Sequence, residues 1–427
     1  MHRTVAFYTL GCKLNFSETS TIGRQLSEVG YAKTEFDKKA DLYVINTCSV
    51  TENANRECRR IIRKAKKTAP HSKVIVTGCY AQLKPKEIAT INGVDMVLGA
   101  NEKFNIPDLL KSKSEHKVFN SNLENLDYHS SFSLNDRSRS FLKIQDGCDY
   151  PCTYCTIPLA RGKSRCDTVD NILKNANEIA ENGIKEIVLT GVNIGEFIDS
   201  TSKENFYDLI VKLEEVEGIE RYRISSIEPN LIKENIIQFV SKSKKFMPHF
   251  HIPMQSGSDF ILGKMKRRYN TKSFSSKILG ISKAIPDVCI GADVIVGFPG
   301  ETEKEFEKTI NFIKDLPLAY LHVFAYSERE NTAAINFKGE VSKQIRSERS
   351  KMLRILSDKL QRSFYQKYLQ TVQTALFERE NKGGFLFGFT NNYIKVKIPF
   401  AEKHIQQKLK IKLLSFDSDG NVLSELV

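Results

Sequence analysis

The sequence predicts an α/β chain in three parts: an N-terminal parallel α/β sheet, a central partial (β/α)6 TIM-like barrel, and a small C-terminal antiparallel β-barrel. Three observations predict it. Short apolar runs alternate with helical patterns over the first part of the chain. That alternation lapses, then resumes at Phe141. The last stretch replaces helices with short strand patterns separated by turn residues.

The elements follow in order. Runs 5–10, 42–46, 74–77 and 96–98 read as buried strands, with helical patterns such as 17–29 and 52–69 between them. This is the signature of βαβ units in a parallel sheet. Residues 111–140 are rich in Ser, Asn, Lys and Asp and lose periodicity, which reads as a linker or surface-wrapping segment. Six strand-like runs then recur, at 141–145, 186–190, 221–225, 249–253, 288–296 and 319–325. Six βα units make a partial barrel whose working end lies at the strand C-termini. A long charged helix, 342–368, precedes strands 374–379, 384–389, 393–399 and 409–416. Gly383-Gly384, Asn391-Asn392 and Asp419-Gly420 supply the turns of a small closed barrel. The expected boundaries are 1–112, a linker 113–133, 134–365 and 366–427.

Lys plus Arg number 64 against 51 Asp plus Glu, a net charge of +13 among 427 residues. That excess suits an anionic partner such as RNA, unless it only mirrors a basic proteome. No segment reaches the ~18 apolar residues of a membrane span. The N-terminus lacks the charged–apolar–small layout of a signal peptide. The expectation is a cytoplasmic protein with no membrane partner. Disulfides are rare there, so the nine cysteines call first for a metal explanation.

Cys148-Asp-Tyr-Pro-Cys152-Thr-Tyr-Cys155 follows the first barrel strand directly. Three thiolates so close can hold three irons of a [4Fe–4S] cube and leave the fourth open. A zinc knuckle is the alternative, but structural zinc wants four ligands and paired C-x2-C spacings. The second constellation is dispersed. Cys12, Cys48 and Cys79 each follow a strand of the N-terminal sheet, at separations close to one βαβ unit. Equivalent ends of parallel strands converge on one sheet edge, where such sheets bind ligands. Gly11 and Gly78 precede two of them and let the backbone turn tightly. Three unrelated buried thiols would be the plainer reading. Cys58, Cys166 and Cys289 show no such pattern and read as structural.

C-x3-C-x2-C with Tyr154 before its last Cys resembles the radical S-adenosylmethionine (SAM) superfamily. With the second triad, the chain resembles the radical SAM methylthiotransferases over essentially its full length. The matching segments are Thr9-Leu10-Gly11-Cys12-Lys13-Leu14-Asn15, Asn46-Thr47-Cys48-Ser49-Val50-Thr51 and Thr77-Gly78-Cys79-Tyr80-Ala81-Gln82. Thr156-Ile157-Pro158-Leu159-Ala160-Arg161-Gly162, His251-Ile252-Pro253-Met254-Gln255-Ser256-Gly257-Ser258 and Asp293-Val294-Ile295-Val296-Gly297-Phe298-Pro299-Gly300-Glu301-Thr302 also match. The C-terminal barrel resembles the RNA-binding TRAM module. Three branches modify isopentenyl-adenosine in tRNA, threonylcarbamoyl-adenosine in tRNA, or an aspartate of a ribosomal protein. Gly-Cys-Lys-Leu-Asn around Cys12 resembles the threonylcarbamoyl branch. The isopentenyl branch usually carries Gln where Lys13 stands, and the ribosomal-protein branch begins Ser-Leu-Gly-Cys. Leu159 departs from the Tyr common to the two tRNA branches.

The resemblance implies two [4Fe–4S] clusters, on Cys12/Cys48/Cys79 and on Cys148/Cys152/Cys155. It also implies two SAM molecules, one methylating a sulfur at the first cluster and one cleaved to a deoxyadenosyl radical at the second. The substrate would be the threonylcarbamoylated adenosine 3′ of a tRNA anticodon, methylthiolated at carbon 2. An electron donor is required but not identified. Carbon 2 carries an unactivated C–H bond, which acid–base chemistry does not open and radical chemistry does. SAM would lie across the barrel strand ends, near Tyr154, Arg165, Gly191, Asn193, Glu228, Gln255, Ser256, Asp293 and Gly297. For RNA, Lys395 and Lys397 in the last domain and Arg59 and Arg63 in a basic helix are the candidates. Phe385, Phe387 and Phe389 share one strand face. They read as a base-stacking platform or, preferably, as the core of the small barrel. A non-catalytic RNA-binding iron–sulfur protein, or a radical enzyme holding a corrinoid or zinc in its N-terminal sheet, are the rival classes.

Overall fold

Strand 42–47 is six consecutive buried residues, a run that only a sheet covered on both faces can accept. The computed structural model, which describes residues 3–49, 51–112, 116–134 and 138–427, builds that sheet. Its strands are β1 (Arg3–Thr9), β2 (Tyr31–Thr34), β3 (Leu42–Thr47), β4 (Lys73–Gly78), β5 (Met96–Leu98) and β6 (Val118–Phe119). All pair in parallel, in the order β2-β1-β3-β4-β5-β6. Helix α1 (Lys13–Glu28) buries Ile22 and Leu26 against Val5, Val44 and Ile75 on one face. Helix α2 (Glu52–Thr68) buries Cys58, Ile61, Ile62 and Ala65 against Tyr43, Ile45 and Val76 on the other. Thr51 caps α2 by accepting from the Ala54 amide at 3.3 Å. Sequence periodicity misses β2, a mixed and half-exposed Tyr-Ala-Lys-Thr run at one edge, and β6, which has only two residues. The second falls inside the expected linker, so part of that segment completes the sheet. Residues 113–115 of the expected linker and 135–137 of the expected barrel segment lie outside the described residues.

The central part has six parallel strands: β7 (Ser140–Lys143), β10 (Glu186–Thr190), β11 (Arg221–Ile224), β12 (His249–His251), β13 (Cys289–Val296) and β14 (Tyr320–Ala325). A short antiparallel pair, β8 (Gln145–Asp146) with β9 (Arg165–Cys166), brackets the cysteine loop. The strands form two sheets, β11-β10-β7 and β12-β13-β14, joined by bridges Tyr222↔Phe246 and Ser226↔His251. The result is a curved, open barrel of six strands with one large apolar core outside it. The N-terminal sheet docks beside β7. Ser17 Oγ meets Ser131 Oγ at 3.1 Å, and Arg24 donates to the Phe132 carbonyl at 3.0 Å.

The last part is a closed barrel, β15 (Val372–Lys382), β16 (Phe385–Thr390), β17 (Lys395–Pro399), β18 (Lys408–Phe416) and β19 (Val422–Leu426), in the order β15-β16-β17-β19-β18. The fifth strand goes beyond the sequence expectation. Gly383 and Gly384, at φ 60° and 82°, make the two-residue turn joining β15 to β16. The preferred reading of the three Phe does not hold. On β16 the buried positions are Leu386, Gly388 and Thr390, and Phe385, Phe387 and Phe389 are half-exposed. Parity decides this: Gly388 faces β15 so closely that a Cβ would stand 2.6 Å from the Leu376 carbonyl oxygen. Arg221 and Arg223, at the start of β11, donate to the carbonyls of Phe389, Thr390 and Asn391. The small barrel therefore closes the N-terminal end of the large one and leaves its other end free. Among the described residues, no helix is long and apolar enough to cross a membrane.

Candidate active site between two cysteine triads

Neighbouring strands β1, β3 and β4 end beside Cys12, Cys48 and Cys79. Gly11 and Gly78 have φ of +99° and +95°, and neither has room for a side chain. A Cβ on Gly11 would stand 2.7 Å from the Cys48 Cβ; one on Gly78 would stand 2.3 Å from the Thr47 carbonyl oxygen. The glycines thus allow three strand ends to crowd together. Asn15 ties two of them, donating to the carbonyls of Leu10 (2.7 Å) and Thr47 (3.0 Å).

The second triad lines a cavity of about 300 Å³ at the C-terminal end of the barrel strands. Its wall contains Cys148, Cys152, Cys155, Tyr154, Asn193, Glu228, Gln255 and Asp293. The cysteine sulfurs are met by donors: the Tyr150 amide to Cys148 and the Ile157 amide to Cys155, each at 3.4 Å, and Arg267 to Cys152 at 2.9 Å. Burial pushes the Cys148 and Cys155 thiols up to about 12. Such sulfurs become thiolates only when a metal supplies the compensating charge.

Among the described residues, only His251, Asp293 and His322 bring three ligand atoms within 4.8 Å of one another. One zinc at about 2.3 Å from each sulfur would need its thiolates under about 4 Å apart. Neither cysteine triad is drawn in that far, whereas thiolates on different irons of a cube stand wider. The donor sets therefore fit clusters better than single ions.

Of the expected SAM contacts, Tyr154, Asn193, Glu228, Gln255 and Asp293 line the cavity. The buried Asn193 Nδ2 has no hydrogen-bond partner among the described residues. Four others do not line it. Arg165 donates to the carbonyls of Arg161, Lys163 and Asp127 and reaches Asp146, on the far side of the cysteine loop. Ser256 is buried against Thr309. A side chain on Gly191 would meet Ile194 and Gln145, and one on Gly297 would meet Arg346. The two glycines therefore serve close packing of protein on protein.

Sequence reasoning missed Arg267. It sits in a run of basic residues beyond a short helix, with nothing local to mark it. Its guanidinium bridges Cys152, the Tyr154 hydroxyl (3.3 Å) and both oxygens of Glu228. Burial nevertheless leaves the Glu228 carboxyl above its ordinary value, with Arg267 opposing. Asp293 goes the other way: burial opposes ionisation, but His251 and His322 hold its carboxyl well below the usual range. His251 Nε2 lies 2.8 Å and His322 Nδ1 3.4 Å from the same Asp293 oxygen.

A buried ionic network joins the two triads. Arg161, on the helix after Cys155, contacts Glu18 (3.0 Å), Asp146 (2.8 Å) and the Asn15 side chain (2.6 Å). Lys103 reaches Glu18 at 2.7 Å, and Lys143 lies 3.5 Å from Asp146. Burial disfavours the Glu18 carboxylate, but Arg161, Lys103 and Lys143 outweigh it and hold the carboxyl low. With Arg165 also at Asp146 (3.4 Å), four cations face two carboxylates, and Arg161 carries positive charge beside Cys79 and Cys12. An anionic cluster on those cysteines would balance it. The loop after Cys48 also reaches across: Arg329, beyond β14, donates to the Ser49 carbonyl at 2.6 Å.

The RNA candidates divide. Lys395 is exposed and lies 5.0 Å over the Phe387 ring; Lys397 lies 4.4 Å over Phe385 and pairs with Asp417 at 2.6 Å. Arg59 is half-buried between Glu52 and Glu87, while Arg63 is exposed. Cys58 and Cys289 are buried, and Cys166 is half-buried near the Glu196 carbonyl.

The chain matches the Radical SAM superfamily over residues 142–313 and Uncharacterized protein family UPF0004 over residues 4–99. It is 39% identical to the threonylcarbamoyladenosine tRNA methylthiotransferase MtaB of Bacillus subtilis, over 96% of this chain and 94% of that one. The chain belongs to the radical SAM methylthiotransferase family. Another MtaB relative, from Aquifex aeolicus, is 36% identical over 92% of this chain and 96% of its own length. A tRNA-2-methylthio-N(6)-dimethylallyladenosine synthase of Thermodesulfovibrio yellowstonii is 31% identical over 93% of both chains. The methylthiotransferase fold is also similar to the radical SAM methyltransferase TsrM of Kitasatospora setae, with TM-score 0.57 at 12% identity over 78% of this chain and 77% of that one. The protein is thus a radical SAM methylthiotransferase, and iron–sulfur cluster and SAM are its cofactors.

Proposed function

We propose that this enzyme methylthiolates carbon 2 of the threonylcarbamoyl-adenosine that lies 3′ of a tRNA anticodon, using two [4Fe–4S] clusters and two SAM molecules. The observation carrying the branch assignment is the 39% and 36% identity to two MtaB enzymes over nearly the whole chain, above the 31% and 34% of two dimethylallyladenosine-type relatives. Cys148, Cys152 and Cys155 would hold the SAM-cleaving cluster, and Cys12, Cys48 and Cys79 the auxiliary one. Bound there, the clusters and SAM supply a carbon-centred radical and a methylated sulfur. The remaining work belongs to this chain. Arg267 and Glu228 fix the wall beside Cys152, and Asn193 offers an unpaired amide to a polar group in the cavity. The Arg161 network sets the distance between the two triads. Closure of the barrel base by the last domain keeps water from entering opposite the substrate. The half-exposed Phe385 and Phe387 with Lys395 and Lys397 offer stacking and phosphate contacts to a single-stranded loop. The domain divisions 1–112, 113–133, 134–365 and 366–427 are part of this reading, with β6 assigned to the first sheet.

The test uses anaerobically reconstituted enzyme, SAM, a strong reductant and tRNA from cells lacking this gene, followed by mass spectrometry of the digested nucleosides. A methylthio gain on threonylcarbamoyl-adenosine is expected. A gain on isopentenyl-adenosine instead would keep the chemistry and overturn the substrate. An unchanged tRNA pool with active deoxyadenosine formation would point to a ribosomal-protein aspartate. Iron far below about eight per chain would favour a corrinoid or zinc in the N-terminal sheet.

A further inference from the structure

Strand β14 presents two different faces. Leu321 and Val323 pack against the large apolar core, so by alternation Tyr320, His322 and Phe324 face the barrel interior. Tyr320 shares hydrogen bonds with His249 and His251, and His322 meets Asp293. Phe324 is 42% exposed in the wall of the cavity that the loop triad lines. An apolar ring left open inside a cleft forgoes its burial until a ligand covers it.

The other aromatic rings of that wall are taken. Tyr150 is buried, with the Arg268 guanidinium 3.9 Å over its ring. Tyr154 and Tyr326 stand edge-on to Phe298, at 6.4 and 5.5 Å, and the Tyr154 hydroxyl meets Arg267. Phe324 has no ring or cation contact among the described residues. Ile295, its partner across β13, lines the cavity beside it and extends the apolar surface.

The position of the ring is tied to the other triad. β7 and β14 are the two edges of the open barrel. The N-terminal sheet reaches both: α1 meets Ser131 beside β7, and the loop after Cys48 meets the segment after β14. There the Glu52 amide donates to the Ser327 hydroxyl at 3.4 Å, and Arg329 donates to the Ser49 carbonyl at 2.6 Å and hydroxyl at 2.8 Å. Thr51, three residues after Cys48, lines the same cavity as Phe324. One cavity therefore has the loop triad in its wall, the Cys48 loop at Thr51, and an uncovered aromatic face on the strand clamped to that loop.

We infer that Phe324 is the stacking platform for the target base, which leaves the RNA loop and lies on this ring between the two triads. This rests on the reading of a tRNA base as substrate. A base modified at a ring carbon must come out of its stack, and an enzyme that unstacks it replaces the lost contact with an aromatic face of its own. The adenine of SAM is the competing occupant of such a face. The clamp between β14 and the Cys48 loop favours the target base, because carbon 2 must receive sulfur from that triad and the SAM adenine need not approach it. A ring that stacks on the purine is indifferent to the N6 group, so it orients carbon 2 for either kind of modified adenosine.

The experiment uses the reconstituted holoenzyme and two fluorescent anticodon stem-loops at fixed salt, one carrying threonylcarbamoyl-adenosine at the target position and one abasic there. Phe324→Ala should weaken binding of the base-bearing loop about 5- to 150-fold, the range of one base–aromatic stack, and leave the abasic loop where it was. Phe324→Tyr keeps the ring and should bind the base-bearing loop as the unaltered enzyme does. Iron per chain, and SAM affinity without RNA, should be the same in all three proteins. Equal weakening of both loops by Phe324→Ala would mark a structural role and overturn the inference. Unchanged affinity for both loops would overturn it too. A fall in SAM affinity with the base-bearing loop unaffected would assign the ring to the SAM adenine, with the same consequence. Turnover separates this inference from the substrate reading. Modification of an isopentenyl-adenosine loop in place of the threonylcarbamoyl one would overturn the branch, and the binding difference, which the N6 group does not set, would still decide the platform.

Discussion

The two cysteine triads are built in opposite ways. Cys148, Cys152 and Cys155 sit in one loop between β8 and the helix Ile157–Arg161. Their spacing is covalent, so it survives any rearrangement of the rest of the chain. Cys12, Cys48 and Cys79 come from the ends of three strands, and only the register β1-β3-β4 makes them neighbours. The loop triad is held by donors to its own sulfurs. The strand triad leans on Gly11, Gly78, Asn15 and the charged network behind them. The first should tolerate perturbation of the sheet; the second should not.

Removing one ligand from each triad gives the largest effect. Cys152→Ala should reduce both deoxyadenosine formation and methylthiolation to background. Cys12→Ala should lose methylthiolation yet still cleave SAM, with iron falling from about eight to about four per chain. Loss of SAM cleavage in Cys12→Ala would show that the triads are not independent.

Arg161→Met breaks the bridge between them. It leaves Glu18 and Asp146 short of a buried partner and should cost about 3–5 kcal/mol in urea unfolding. The network also sets an acid limit. The Glu18 carboxyl is held down to about 2 in the folded protein against an ordinary 4.5. Its contribution is therefore present above about pH 4.5 and lost as the pH falls toward 2. The acid transition of Arg161→Met should begin at higher pH than that of the unaltered enzyme.

Arg267→Met probes the loop triad without touching a ligand. SAM binding should weaken about 10- to 100-fold, because Glu228 and Cys152 both lose a charged donor. Iron retention on the auxiliary triad should be unaffected, and iron loss there would break the comparison. The smallest effect is expected far from both: Phe387→Ala should weaken tRNA binding by about 1–3 kcal/mol. Lys395→Ala should mainly flatten its salt dependence.

The fold divides in the same way between what local sequence shows and what it does not. The six barrel strands and β1, β3, β4 and β5 of the first sheet are visible as apolar runs, because buried strands make continuous apolar stretches. The two edge strands are not: β2 is a mixed, half-exposed Tyr-Ala-Lys-Thr run, and β6 has only two residues. On β16 alternation gives two faces and does not say which is inside, so the aromatic face turns outward against the sequence expectation. Gly388, by its contact with β15, made that choice.

By itself the sequence determined the family, the loop triad and the three-part order of the chain, because these are matters of covalent spacing and local periodicity. Which charges meet was decided by tertiary structure alone. Arg267 beside Cys152 and Arg161 between Glu18 and Asp146 each join segments far apart in the chain. Electrostatic partnership depends on distance through space and on burial, and neither is written in the spacing of residues along the chain.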